Sequence, residues 1–362
     1  MTTALLASLL LHSTGVGVPA GRLAHLATGV NVCRWFRFPE KSDDAHWAGY
    51  IGDDEMVMMR RMGLRHVRLC IAPQLVMTPV TGAPKEHEWG YIEKAIQRFL
   101  DHGLAVVVDM HNENRRDEAD PAWESQFQNF WGIAAKRLSH FDPNRVFLEI
   151  VNEPVFDHKE SEWKVLLPRL AKTIRASAPR HTIIASGANW GGIYGLQQLE
   201  PLADRNVVYS FHTYDPFPFT HQAATWAGEA VKPLRGVPYP SSPEAVAPLL
   251  PGLPEESRKM LENYGRERWN REKMTENFRQ AIDWGRKNKA PLYCGEFGVF
   301  PVAAKPEHRA NWFRDFGSVL KQNRVGWASW GWDEGFGFDR HRVGGKIVVD
   351  PVVAKALGMN LP

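Results

Sequence analysis

Short, nearly unbroken apolar runs recur along the chain, and between them apolar residues return every three or four positions. The most distinctive run, VFLEIVNEP at residues 146–154, ends in an amide, a carboxylic acid and a proline. It predicts a strand buried on both faces, the kind found in parallel sheets covered by helices. PLYCGEFGVF at 291–300 has the same build and delivers Glu296 ahead of a glycine. Further strands are predicted at 29–36 (GVNVCRWF), 66–71 (HVRLCI), 104–112 (LAVVVDMHN), 181–190 (HTIIASGANW), 206–216 (NVVYSFHTYDP) and in RVGWASWGWDEGFGF from residue 324.

Between these runs the spacing turns helical. DDEMVMMRRMG opens with acids and closes on Gly63, and WGYIEKAIQRFLDHG closes on Gly103, as helix ends prefer. ESQFQNFWGIAAKRLSH, SEWKVLLPRLAKTIRASAP, ENFRQAIDWGRKN and HRANWFRDFGSVLKQN repeat the pattern, the second with Pro168 predicting a kink. A last helix is expected near 350–358. From 216 to about 275 the alternation fails, and Pro, Gly and aromatic residues predict a long loop with short helices over the strand ends. Eight strands alternating with helices predict an α/β fold, a closed (β/α)₈ TIM barrel rather than an open sheet.

Polar and aromatic residues fall late in these strands: Arg68, His111, Asn152, Glu153, His212, Tyr214, Glu296 and Trp330. Such barrels carry their sites at the C-terminal strand ends, so these residues are expected to converge on one mouth. Arg68, a charge between Val67 and Leu69, must face something negative or water. His212 and Tyr214 are two apart and share a side of their strand. A carboxylate at the end of a buried strand loses hydration, which raises its pKa toward that of a general acid unless a partner compensates. Glu153 alone fits a structural ion pair or helix cap equally well. A second strand-end acid, Glu296, favours a carboxylate pair for hydrolysis.

At 362 residues with 44% hydrophobic content and no low-complexity linker, the chain reads as one catalytic domain, 22–362, behind a leader-like segment, 1–21. ALLASLLL at 4–11 and the small residues up to Ala20 resemble a secretory signal, implying a secreted or periplasmic protein, but no Lys or Arg precedes them. A short apolar helix packed on a cytoplasmic protein fits the same residues. A net charge of +3 from 44 basic and 41 acidic residues argues against nucleic acid or an anionic membrane as partner, and a monomer is expected. Fourteen Trp offer stacking platforms for sugar rings, although most must be core. Cys33, Cys70 and Cys294 fall inside predicted strands without metal-ligand spacing and read as small buried hydrophobes.

An Arg in the second strand, a His after the third, NEP after the fourth, His-x-Tyr after the sixth, GEFG after the seventh and a Trp after the eighth together resemble glycoside hydrolase family 5. These are retaining (β/α)₈ glycosidases that include many cellulases. The likeness runs from about residue 22 to near the end and implies cleavage of internal β-1,4-glucosidic bonds of cellulose-type glucans, without metal or other cofactor. It implies Glu153 as acid and base and Glu296 as nucleophile, with carboxyl groups about 5–5.5 Å apart and surroundings that push their pKa values apart. Arg68 and Tyr214 are then expected to hold Glu296 ionised, and His212 and His111 to contact Glu153 and sugar hydroxyls. The resemblance further implies Asn152 on the 2-hydroxyl and Trp330 as the stacking floor. Trp35, Trp190, Trp226 and Trp332 are candidate sugar subsites, with His221 and Gln222 in the loop that shapes the cleft and Asp333 and Glu334 as candidates for outlying hydroxyls.

This catalytic set does not separate cellulose from mannan, xyloglucan or mixed-linkage glucan, and an exo-β-glucosidase results if 216–275 blocks one end of the cleft. A metal-dependent hydrolase using His111, His212 and the two Glu lacks the His-x-His or HExxH spacing of such sites. A non-catalytic sugar-binding barrel would have no need of both acids with their Arg and Tyr.

Overall fold

A computed structural model describes residues 17–78, 82–112, 121–156 and 158–361. The first sixteen residues of the expected leader, the signal-like run among them, lie outside the described residues. Among the described residues eight strands make up the barrel: β1 (Gly29–Phe36), β2 (His66–Ile71), β3 (Ala105–Met110), β4 (Val146–Glu149), β5 (Thr182–Ser186), β6 (Val207–His212), β7 (Leu292–Glu296) and β8 (Gly326–Ser329). Each pairs in parallel with the next, and β8 returns to β1 to close the barrel.

Strand periodicity sorts the residues into two cores. Val67, Leu69 and Ile71 of β2, with Val106, Val108 and Met110 of β3, face outward beneath the helices. Val107, Phe147, Ile184, Val208, Tyr293 and Ala328 point inward and fill the lower barrel. Fully burying each large aliphatic side chain contributes about 1.5–3 kcal/mol, which offsets the cost of the charges buried above this layer. Going up β2 the inward positions read His66, Arg68, Cys70; on β3 they read Ala105, Val107, Asp109 and then His111; on β4, Phe147 and Glu149. Apolar floor and polar mouth thus lie on the same inward faces.

A helix, Ala20–His25, closes the floor, where Val18 and Leu23 pack on the inner core. Its Arg22 donates to Asn144 Oδ1, the Arg180 carbonyl and Thr182 Oγ1. The expected boundary between residues 21 and 22 therefore cuts this helix: Ala20 and Gly21 belong to the folded unit, and the Pro19 carbonyl accepts from Arg22 N.

The 216–275 segment carries the expected short helices and brings Phe217, His221 and Trp226 to the mouth of the barrel. It holds helices Phe217–Thr220, Pro243–Val246 and Glu255–Glu267, and buries Leu234, Tyr239, Leu261, Tyr264 and Trp269. Prolines hold the first two of these helices to four residues each, whereas Glu255–Glu267 runs 13 residues without one, and the apolar residues between still find the core. The strands are also shorter than the apolar runs: β4 stops at Glu149 and β5 at Ser186, and the residues beyond bend into the mouth. The helix Glu160–Ser177 runs through Pro168. An unexpected hairpin, β9 (His341–Val343) and β10 (Lys346–Val348), turns on Gly344 and Gly345, both with positive φ as a tight hairpin turn requires. Among the described residues no helix is long and apolar enough to cross a membrane.

Candidate active site

Arg68 is the hub of the mouth and is fully buried. Its Nε and Nη2 form a two-pronged contact with Glu149 at 2.7 and 3.0 Å. Nη2 also donates to Asn152 Oδ1 at 2.9 Å, and Nη1 donates to Asn31 Oδ1 and Glu296 Oε1, each at 2.8 Å. Asp109 Oδ2 lies 3.1 Å from Nη2 and 2.7 Å from His111 Nδ1. Arg68 thus meets three acids from three other strands, and the negative partner expected for it is there. A planar guanidinium suits this work because its donors are set in a rigid fork.

Glu296 ends β7 with one oxygen on Arg68 and the other accepting from the Tyr214 hydroxyl at 3.0 Å. Burial, with the nearby Glu153 charge, pushes its carboxyl above the ordinary glutamate value, while His212 and Arg68 pull it back. Burial and the facing carboxylates also push the Tyr214 phenol up, so it remains a donor. Glu153 faces Glu296 across the cleft and accepts from His212 Nδ1 at 3.0 Å; that nitrogen is 3.7 Å from Glu296 Oε1. One oxygen from each acid and one His212 nitrogen all lie within 4.8 Å of one another.

Backbone hydrogen bonds past the strand ends hold these groups in place. His111 N donates to Ile71 O, Asn152 N to Met110 O, His212 N to Gly191 O and Thr213 N to Glu296 O. Gly295, just before Glu296, leaves room for the His212 ring, since a Cβ there would stand 2.6 Å from Nε2. Glu153, Asn189 and Trp190 all take positive φ, a strained backbone that for non-glycine residues concentrates at functional sites. The loop after β5 is tied to the loop after β4 by Asn189 N to Val155 O and Trp190 N to Pro154 O.

The cleft above these residues measures about 690 Å³ and is lined by every residue of the expected catalytic set except Arg68, which lies beneath it. Asn152 gives its Oδ1 to Arg68, and its Nδ2 has no protein partner. Trp330 forms part of the wall, its ring 5.8 Å from His111, with the Arg37 guanidinium 5.1 Å from its centroid. Trp190 and Trp226 stand 54% and 63% exposed at the cleft, where a flat ligand can reach them.

The remaining expected subsite residues divide between the fold and the cleft. Trp35 is buried in the outer core, stacked on Phe36, and gives its Nε1 to Trp47 O. Trp332 is fully buried, with Nε1 on Glu55. Both are removed as subsite candidates because strand parity and the turn after β8 direct them away from the cleft. Gln222 is buried and braces Phe219 O and Val237 N, whereas His221 does line the cleft, and burial lowers its pKa to about 4. Asp333 accepts from Cys33 N, Arg34 N and the Tyr50 hydroxyl, a structural role, and Glu334 lies 3.7 Å from Arg34. The three cysteines are buried thiols, as expected.

Asp109, Glu149 and Asn31 were not foreseen. The signal was present for the two acids, since an ionisable residue inside an apolar run is the feature that singles out Arg68. Among the described residues two groups bring possible metal ligands together, Glu153–His212–Glu296 and Cys70–Asp109–His111. In each the histidine Nδ1 already bonds a carboxylate, and Arg68 already sets its positive charge against one of the acids.

Comparison with known proteins follows the barrel. The model for Cellulase (glycosyl hydrolase family 5) matches residues 27–335, from just before β1 to just past β8. Endoglucanase C of Acetivibrio thermocellus is 29% identical over 313 residues, covering 83% of this chain and 90% of that protein. Cellodextrinase A of Ruminococcus flavefaciens is 25% identical over 307 residues, 82% of each. The structure of Thermotoga maritima Cel5A in complex with cellobiose is similar at a TM-score of 0.75 and 27% identity, over 93% of this chain and 98% of its own. The same protein in complex with mannotriose gives a TM-score of 0.74 at 27% identity, with the same coverage. A match that takes in all eight strands, with the paired acids at the ends of the fourth and seventh, makes this chain a member of the cellulase family, glycosyl hydrolase family 5, and hence a glycosidase.

Proposed function

We propose that the chain is a retaining endo-β-1,4-glucanase acting on cellulose-type glucans, with Glu296 as nucleophile and Glu153 as acid and base. The observation that carries this reading is the spacing of the two acids, which bring one oxygen each within 4.8 Å of the other. Retaining pairs stand roughly 5–5.5 Å apart, while inverting pairs need roughly 6.5–9.5 Å to admit a water between acid and sugar.

In the first step the Glu296 carboxylate attacks the anomeric carbon, the glycosidic C–O bond breaks, and the Glu153 proton goes to the departing oxygen. In the second, Glu153 takes a proton from water, the water oxygen attacks the same carbon, and Glu296 leaves as a carboxylate. Arg68 and Tyr214 orient the nucleophile, and His212 holds Glu153. Asn152, its amide pinned by Arg68, presents Nδ2 for the sugar 2-hydroxyl. Trp330 supplies the floor under the reacting sugar, and exposed Trp190 and Trp226 supply stacking surfaces for its neighbours. A polymeric substrate fits the secreted or periplasmic location expected from the N-terminal segment.

Endo action and glucan preference are supported by the relative named Endoglucanase C, while the Cel5A complex with mannotriose makes β-mannan the second substrate to test. Carboxymethyl-cellulose is expected to lose viscosity quickly while reducing sugar is released. Short products without viscosity loss would replace endo by exo action, and no release from carboxymethyl-cellulose, mannan or xyloglucan would sink the reading. In Glu296→Ala, turnover is expected to vanish and azide to restore part of it as a glycosyl azide, because the small anion fits the vacated space. Without such rescue Glu296 is not the nucleophile.

A further inference from the structure

Asp109 has no step in the reaction proposed above, yet it lies two residues before His111 on the same inward face and is fully buried. A guanidinium has five N–H donors. In Arg68 Glu149 takes two, and Asn152, Asn31 and Glu296 take one each. None is left for Asp109, although Oδ2 is 3.1 Å from Nη2. Its hydrogen-bond partners are His111 Nδ1 at 2.7 Å and the Cys70 thiol, a weak donor, and its Oδ1 has no N–H or O–H partner. An ionised carboxylate has about four acceptor sites to satisfy, so an orphaned oxygen in a dry site favours the neutral acid.

The titratable groups facing Asp109 are Arg68 and Cys70 from β2, Glu149 from β4 and Tyr293 and Glu296 from β7, besides His111 on its own strand. Three acids therefore share one fixed cation. Burial first, and then the Glu149 and Glu296 charges, push the Asp109 carboxyl well above the usual range, against the pull of Arg68 and of the Cys70 hydrogen bond.

We propose that Asp109 is a positioning residue that keeps its proton and donates it to His111 Nδ1, so that the neutral imidazole carries its hydrogen on Nε2 as a donor at the cleft. An ionised Asp109 would hold the hydrogen on Nδ1 and make Nε2 an acceptor, or draw a second proton onto the ring. The inference rests on the proposed glycan site, since it assigns His111, which lines the cleft, as a donor to the substrate.

Imidazole nitrogen NMR of the full chain, with His111 assigned by comparison with His111→Gln, tests it directly. The Nε2–H tautomer is expected from about pH 5 to about pH 8, where a free histidine would change charge. An Nδ1–H tautomer or an imidazolium at neutral pH overturns the proposal. Asp109→Asn gives a second arm, because an amide N–H can replace the carboxylic O–H toward Nδ1. Its kcat/KM on an aryl cellobioside is expected to stay within about tenfold of the parent, the net worth of one neutral hydrogen bond. Where an ionised aspartate is required, the amide imposes the wrong tautomer and costs about 10⁴ in kcat in Ser-His-Asp enzymes. A loss beyond about 100-fold in a folded Asp109→Asn variant overturns the proposal too, as approaching that wrong-tautomer penalty. The tautomer is read without turnover, so this inference and the glucanase reading fail separately.

Discussion

At the scale of single residues, Glu153 and Glu296 are the same side chain in two settings. Glu296 is almost wholly buried between a guanidinium and a phenol, while Glu153 is 15% exposed at its side chain and meets an imidazole. The fixed cation belongs to the acid that must be an anion when it attacks. Glu153→Gln is accordingly expected to slow hydrolysis of polymeric glucan by about 10²–10⁴-fold, the usual contribution of a general acid. Aryl cellobiosides with an acidic phenol should form the glycosyl-enzyme at a near-normal rate, because that leaving group departs without a proton. Equal losses on both substrates would place the acid elsewhere. Both glutamates were legible before the fold because two strand-end carboxylates on separate apolar runs favour a hydrolytic pair, where either alone fits an ion pair equally well. Trp35 and Trp332 were misread because a tryptophan gives the same signal in a core as at a cleft.

At the scale of elements, the site depends on where β2, β3, β4 and β7 end relative to one another. Arg68 pairs in register with Val107, Cys70 with Asp109, and Asp109 with Glu149, so the buried charges stack in adjoining layers. Removing Glu149 leaves two buried N–H donors of Arg68 without an acceptor. Glu149→Ala is expected to cost about 3–5 kcal/mol in urea unfolding. A cost below 1 kcal/mol would mean that the Glu149 contact to Arg68 adds little. Gly295→Ala tests the packing of β7 against β6, since its Cβ would meet His212 Nε2 at 2.6 Å and Ser210 Oγ at 2.8 Å. Moving His212 off Glu153 is expected to lower kcat about 100-fold, as misplacements near 1 Å do. Unchanged kcat would show that the ring is free to yield. Asp109 and Glu149 escaped notice because their meaning depends on this register, which joins segments distant in the chain.

At the scale of the whole molecule, burial of histidine governs the response to acid. Desolvation lowers His66 to about 3 and His181 to about 4, the second with help from Arg22, Arg175 and Arg180. Between the ordinary histidine value of 6.5 and those lowered values the unfolded chain binds protons that the folded one refuses, so stability falls as pH drops through that window. Each such proton is worth about 1.4 kcal/mol per pH unit. Glu296 and Asp109, raised by burial, act in the opposite sense, since the folded state keeps protons that the unfolded state releases above the ordinary carboxylate range. The urea midpoint of His181→Gln is therefore expected to fall less than that of the parent between about pH 6.5 and about pH 4.5, by one proton's share of the slope. Parallel curves would remove His181 from the account.

The order of apolar runs and helical stretches, set by periods of two and 3.6 residues that neighbouring residues carry locally, determined by itself the barrel and the pair of acids at its mouth. Tertiary structure alone decided which tryptophans reach the cleft, which apolar residues of 216–275 are buried, and that Arg68 is shared among Asp109, Glu149 and Glu296. Those outcomes depend on strand register and on burial competing across the whole core, and no local pattern encodes either.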